Sequence, residues 1–295
     1  MTKQPLYSVI IPHYNSPDLL MRCLASIPDR EDIQVIVIDD NSSADVVNFT
    51  NFPGKERIYT TLLFNKDNQG AGHARNLGLE RATGKWLIFA DADDFFLPNA
   101  WNTFGKYAES DYDIIYFQYT SVNSETLQPD ARQRTYGKYF DAYFANPNQY
   151  TLDHLRFRHD IPWGKMIRKS IVDNNHIIFG ETKYCNDTLF STKVALVCKS
   201  IVVEKEPVYC VTTSNNSLTH QMSETALLTR LDVLLTKNQL LRTNHQTIHQ
   251  ISVLFYFRNA IQHYGFRTLC KAILLAYRHK TTLFMIYIYS RLYRN

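Results

Sequence analysis

The 295-residue chain is poor in the residues that build specialised scaffolds. Its 5 cysteines (Cys23, Cys185, Cys198, Cys210, Cys270) are scattered, odd in number and lack a C-x-x-C pair. That argues against a disulfide framework or a structural zinc site and fits a reducing cytosol. No stretch reaches the roughly 18 uninterrupted apolar residues of a spanning helix. The amino terminus has no charged-then-apolar signal pattern, so a cytoplasmic protein is expected. No G-x-G-x-x-G follows the first strand-like run, which argues against a dinucleotide-binding domain. Repeats and low-complexity tracts are absent. Acid is missing from one end: after Asp232 there is no Asp or Glu. From Gln221 onward ten Lys/Arg face two acids, whereas the first 220 residues carry 22 bases and 26 acids. A basic tail implies an anionic partner: a membrane leaflet, a nucleic acid or another protein. Nucleic acid is disfavoured because no reader motif accompanies the charge, and packing on the catalytic domain or self-association are the alternatives to membrane contact.

What is present is core material, 45% of the residues being hydrophobic. Apolar runs at Tyr7–Pro12, Gln34–Ile38, Arg57–Phe64, Trp86–Ala90 and Asp113–Phe117 alternate with helical spacing at Pro17–Ile27 and Ala71–Ala82. Ser16 is a candidate N-cap ahead of Pro17. Such alternation predicts an α/β fold with a parallel-cored sheet and helices on both faces. Residues 120–160, rich in Asn, Gln, Tyr and Asp, read as loops and short elements shaping one wall of a site. Thr188–Cys198 reads as helix and Ser200–Thr212 as strand. From Met222 the text turns helical, with Leu227, Leu228, Leu231, Leu234 and Leu235 on one stripe. The expected domains are therefore 1–220 and a basic helical region, 221–295. Within the latter, Thr281–Ser290 is too short to span a bilayer but suits an interfacial helix.

Chemistry concentrates at strand ends. Trp86-Leu87-Ile88-Phe89 runs into Ala90-Asp91-Ala92-Asp93-Asp94. Three carboxylates so close repel unless a cation or donors compensate, and a hard divalent cation takes one or two carboxylates plus substrate phosphates. The competing reading is an acidic turn before a helix near Pro98. The second strand ends in Asp39-Asp40-Asn41-Ser42, where a carboxylate suits the N3–H of a uracil and equally suits a helix N-cap. The first ends in Pro12-His13-Tyr14-Asn15, and Tyr14 can stack on a base. Asn68-Gln69-Gly70-Ala71-Gly72-His73-Ala74-Arg75-Asn76 opens a helix, a setting that binds phosphate.

Taken in order, SVIIPHYN, IVIDDNSS, NQGAGHARNLGL and the strand ending DADD resemble the family 2 glycosyltransferases of GT-A fold, over roughly residues 6–220. The resemblance implies a Rossmann-like, mostly parallel sheet carrying a nucleotide-sugar site. It implies uracil reading by Asp40 with Asp39 close by, and a donor site lined by Pro12, Tyr14, Asn68, Gly70, Arg75, Asp91, Ala92 and Asp93. Asp91 then faces the ribose or nucleotide and Asp93 a Mn²⁺ or Mg²⁺ ion, with Asp91 as a further ligand and Asp94 in support. The family's base follows an acidic residue at a helix start. Here Asn186-Asp187 precedes Thr188, making Asp187 the candidate base and leaving Asn186 as a departure from the family's Glu. Trp163 and Lys165 match a W-x-K segment beside the acceptor, and His220 a loop that closes over the diphosphate.

Charge gives the expected mechanism. The departing nucleoside diphosphate gains negative charge that a divalent cation stabilises. A carboxylate takes the proton of the attacking hydroxyl. One base opposite the leaving group gives inversion. The expected protein is an inverting hexosyl- or N-acetylhexosaminyltransferase using a UDP-sugar and a glycan or lipid-linked acceptor, in capsule, lipopolysaccharide or exopolysaccharide synthesis. It would be cytoplasmic or peripheral on the inner membrane face. A catalytically silent carbohydrate- or nucleotide-binding module on the same fold is the alternative, and a nucleotidyltransferase is a third.

Overall fold

A computed structural model describes residues 4–213 and 222–281. Its centre is an eight-stranded sheet of order β3-β2-β1-β4-β7-β6-β8-β5. The strands are β1 (Tyr7–His13), β2 (Ile33–Asp39), β3 (Thr60–Phe64), β4 (Trp86–Phe89), β5 (Phe95–Phe96), β6 (Ile114–Asn123), β7 (Lys165–Arg168) and β8 (Ile201–Thr213). The first four pair in parallel, as do β6 and β8, while β7 runs antiparallel to both β4 and β6, and β5 runs antiparallel to β8.

Both faces of β1, β2 and β4 are covered, which is why these strands read as continuous apolar runs. Val9, Ile11, Val35, Val37 and Ile88 point into one core with Leu20 and Leu24 of helix α1 (Pro17–Ala25). Ile10, Ile36, Ile38, Leu87 and Phe89 point into the other, with Ala74 of α2 (Ala71–Arg81). Helix α2 lies close against the sheet because position 78 is glycine: a Cβ there would sit 2.4 Å from Ile10 Cγ2. Pro12 is tolerated inside β1 because the β1–β4 ladder ends at Ile10–Phe89, so its missing N–H costs no bond with β4. Ser16 stands at the start of α1, but its hydroxyl makes no capping bond; Pro17 pre-sets the first turn instead.

The segment expected to be loops contains two helices. After α3 (Ala100–Gly105) and β6 come α4 (Arg134–Ala145) and α5 (Gln149–Arg158). Tyr136, Tyr139, Phe140, Tyr143 and Phe144 recur at helical spacing, and Phe140 is fully buried. A capping box between Asn148 and Thr151 starts α5. The aromatic stripe was hidden by a polar background. Helices α6 (Lys169–Asn174) and α7 (Thr188–Val197) follow.

In the second described segment, α8 (Glu224–Thr243) opens on Ser223, whose hydroxyl accepts the Ala226 N–H at 3.0 Å. With α9 (Leu254–Asn259), a π-turn (Ala260–Tyr264) and α10 (Phe266–Arg278), it forms a small core around Leu231, Leu235, Val253, Ala260 and Ala272. That core does not stand apart, since Leu241 of α8 packs on Phe157 and Ala195 of α5 and α7. Among the described residues no helix is long and apolar enough to cross a membrane.

Candidate active site

The parallel register brings the carboxyl ends of β1, β2 and β4 to one edge, with His13 opposite Asp39 and Ile10 opposite Phe89. Strand order reverses between β1 and β4, and open α/β sheets bind ligands at such a switch point. The DADD turn stands there. Thr212 Oγ1 and an Arg22 guanidinium nitrogen donate to the Asp93 carbonyl at 2.7 and 2.5 Å, fixing the turn from β8 and α1.

The three acids take different positions. Asp94 is buried and accepts the Thr212 N–H at 2.7 Å; burial, then the charges of Asp93 and Asp91, push its pKa well up. Asp91 is one-third exposed and accepts from Arg75 at 2.6 Å through one oxygen. Asp93 is exposed, and among the described residues no side chain bonds its carboxylate. The packed walls around it, followed by the charge of Asp91, push its pKa up to about 6. Asp91 is compensated through one oxygen only, and the Asp93 carboxylate beside it has no side-chain partner among the described residues, an arrangement that suits a hard cation. Among the described residues no group of three or more metal-binding side chains occurs, so Asp91 and Asp93 fit a cation completed by substrate oxygens rather than a protein cage.

Arg75 ties this turn to the distant helix start. Only 5% exposed, its guanidinium donates to Asp91 and, at 2.8 Å, to the Asn186 side-chain oxygen, and lies over the Phe179 ring. It is thus a bridge between the two acidic motifs, not the open phosphate ligand that the helix position suggested. The Asn186 amide oxygen accepts from Arg75 as an acid there would, without adding charge. The approach requires Gly72: a Cβ there would meet the Gly180 carbonyl oxygen at 2.0 Å.

Asp187 follows, half-buried at the start of α7, where its side chain makes no capping bond. Burial pushes its pKa up to about 6, opposed by Arg75 and reinforced by the charges of Asp160 and Asp91. Asp160 belongs to a buried lysine network that residue types alone did not reveal. Lys237 of α8, wholly buried, donates to Asp160 at 2.5 Å and to the Phe157 carbonyl at 2.7 Å. Lys237→Met is expected to strand the Asp160 charge and destabilise the fold by up to about 3–5 kcal/mol, read by urea denaturation.

Several expected contacts are corrected. The Lys165 ammonium is buried and donates to the His159 and Ile161 carbonyls at 2.7 and 2.6 Å, with burial pulling its pKa down to about 7. It clamps the 159–161 turn, where the phosphate or acceptor contact expected of it would need this pair of bonds to open. Trp163 is 4% exposed and stacks on Tyr209, so it is a core residue rather than an open sugar platform. Asp39 is buried with both oxygens engaged, by His13 Nδ1 at 2.7 Å and by the Ser42 N–H and hydroxyl. Burial alone would raise its pKa, but these donors hold it below the ordinary range. Asp40 accepts from the Asn65 side chain and from the Gln69 and Gly70 N–H groups, the last at 2.6 Å. Both acids therefore shape loops: Asp39 that after β1, Asp40 the glycine loop, where Gly70 adopts φ 88°. Pro12 and Ala92 are buried, while Tyr14 and Asn68 are exposed. His220 lies outside the described residues. Tyr209 had no signal beyond its strand; its hydroxyl accepts the Asp91 N–H at 2.9 Å.

The sequence model of Glycosyl transferase family 2 matches residues 8–175, which include the whole DADD turn. The chain belongs to this family. EpsH of Bacillus subtilis, a glycosyltransferase by name, is 24% identical over 220 residues, covering 70% of this chain and 60% of its own length. The poly(ribitol-phosphate) beta-glucosyltransferase of Bacillus spizizenii is 26% identical over 208 residues, 68% of this chain and 31% of that one. This family 2 chain thus spans less than two thirds of these relatives. Among solved structures, Staphylococcus aureus TarS 1–349 in complex with UDP-GlcNAc aligns at TM-score 0.67 and 18% identity, over 97% of this chain and 90% of that one. A Pyrobaculum calidifontis mannosyltransferase in complex with GDP-Man and Mn²⁺ aligns at TM-score 0.54 and 15% identity, over 98% and 80%. At these identities the shared property is the GT-A fold.

Proposed function

We propose that this family 2 member is an inverting glycosyltransferase that moves a hexosyl or N-acetylhexosaminyl group from a UDP-sugar to a hydroxyl of a glycan or lipid-linked acceptor. The observation that carries the reading is the Arg75 bridge. Residues 91 and 186 are far apart in the chain, yet one buried guanidinium holds both at 2.6 and 2.8 Å. This bridge, with the charge of Asp91 acting on Asp187, supports a shared site for the donor-side acids and the candidate base. The UDP-GlcNAc complex of TarS supports the choice of donor, and the poly(ribitol-phosphate) in the name of the Bacillus spizizenii relative supports a polymeric acceptor.

Asp93, with Asp91, would hold a divalent cation, which when bound supplies Lewis-acid stabilisation of the diphosphate. The chain's own contribution is orientation and proton transfer. Tyr14, half-exposed after β1, offers a face for the base. The Asp187 carboxylate takes the proton from the acceptor hydroxyl as it attacks. A silent binding module would have little use for an aspartate kept protonatable near neutral pH.

A UDP-release assay across nucleotide sugars with Mn²⁺ tests the proposal. Release that needs both a UDP-sugar and an acceptor supports it; tight donor binding without turnover on any acceptor overturns it in favour of the silent module. Asp93→Asn is expected to raise the Mn²⁺ concentration for half-maximal rate by at least about tenfold.

A further inference from the structure

We propose that the outward face of α10 is a docking surface for an anionic lipid bilayer. The helix is built inside out. Its buried side is made of small residues, Thr268, Ala272 and Ala276. Its solvent side carries the large apolar ones: Phe266 is 72% exposed, Tyr277 79%, Leu274 50% and Ile273 41%. Their spacing of i, i+7, i+8 and i+11 makes one continuous stripe. Single exposed apolar residues need no explanation, whereas a contiguous stripe marks an interaction surface.

Charge selects the occupant. Arg267, Lys271 and Arg278, at i, i+4 and i+11, line one edge of the stripe, and exposed Arg258 and Lys280 lie on the adjoining segments. Lys271 pairs with Glu224 at 2.7 Å, and Asp232 is engaged by His279 at 2.8 Å. No other acid is present from residue 221 to 295, against ten Lys/Arg. Aromatic residues beside cations match the boundary between acyl chains and anionic headgroups. A second copy of the chain fits less well. It would bring two cationic edges together, and a stripe along 13 residues, about 20 Å long, falls short of the roughly 800 Å² per partner of a stable dimer.

The surface stands near the chemistry. Leu274 and Arg278 share a groove of about 540 Å³ with Leu228 and Asp232 of α8 and with Thr182, in the loop that leads to Asp187. Arg230 of α8 lies over the Tyr184 ring of the same loop, 4.9 Å from its centroid. Docking through α10 would bring a lipid-borne acceptor toward that loop; this consequence rests on the acceptor reading above, whereas lipid binding itself does not.

Co-sedimentation of the full chain with phosphatidylcholine vesicles, with and without about 30% phosphatidylglycerol, at low and high salt, tests the proposal. Binding is expected only to the anionic vesicles and is expected to weaken with salt. The double variant Phe266→Ser, Tyr277→Ser is expected to lower partitioning at least about tenfold at an unchanged melting temperature, and Arg267→Gln with Arg278→Gln to reduce the salt dependence. Three results would overturn it: no binding by the native chain, equal binding by the apolar double variant, or concentration-dependent self-association that this variant abolishes without vesicle binding. UDP release on a soluble acceptor is read in parallel, so loss of docking is separable from loss of transfer.

Discussion

Replacing Asp187 with asparagine is expected to lower turnover about 10²–10⁴-fold, the usual contribution of a positioned general base. Donor binding should be retained, since the bridge from Arg75 reaches Asn186 and Asp91, not Asp187. The pH dependence follows from the pKa of about 6, raised by burial. A base must be ionised to accept a proton, so kcat/KM should rise with pH through about 6 and level off above. Stability should move the other way. The native carboxyl holds its proton more tightly than an ordinary aspartate of 3.8, so its favourable contribution is present below about pH 4 and is lost as pH rises through 6. Asp187→Asn should therefore raise the melting temperature at pH 7–8, by about 1–3 kcal/mol in stability, with the difference vanishing below pH 4. A scan of melting temperature against pH measures this directly. A less active variant that is also more stable at neutral pH is the combination a merely structural aspartate would not produce.

Arg75→Met is expected to have the second largest effect, acting on fold and chemistry together. The guanidinium is buried and charged, and Asp91 would lose its partner. Breaking a buried ion pair costs about 3–5 kcal/mol; with Asp91 one-third exposed, the loss should lie toward the lower end. The chemical effect has its own sign. Arg75 lowers the pKa of Asp187, so its removal should move the rising limb of the pH–rate profile to higher pH. Arg75→Lys keeps the charge but not the two-pronged reach between Asp91 and Asn186. It should restore much of the stability and of the pH position while leaving turnover well below normal. Circular dichroism melts and pH–rate profiles of both variants separate the two contributions.

The sheet was legible because parallel strands covered on both faces leave uninterrupted apolar runs, as in Val9-Ile10-Ile11 and Val35-Ile36-Val37-Ile38. The DADD turn and the start of α7 were legible because a strand or helix end crowded with acid is chemically conspicuous. The antiparallel insertion of β7 between β4 and β6 was not, since a four-residue strand has no periodicity to detect. Helices α4 and α5 were missed because aromatic spacing was diluted by polar neighbours. Trp163 and Lys165 show a different limit. Their residue types suit a sugar face and a phosphate, and nothing local reports that both are buried, one on Tyr209 and the other on two carbonyls.

Local sequence alone determined the long apolar strands, the acidic strand ends and the cationic carboxyl-terminal region, because those depend on neighbours within a few positions. Tertiary structure alone decided which acids are spent and which are free. Asp39 and Asp40 are consumed by His13, Ser42, Asn65 and the glycine loop, while Asp93 remains open. The reason is that carboxylate chemistry is set by the donors and charges around it, and here these come from segments as distant as Arg75 from Asn186 and Lys237 from Asp160. Only the folded chain brings them within hydrogen-bonding reach.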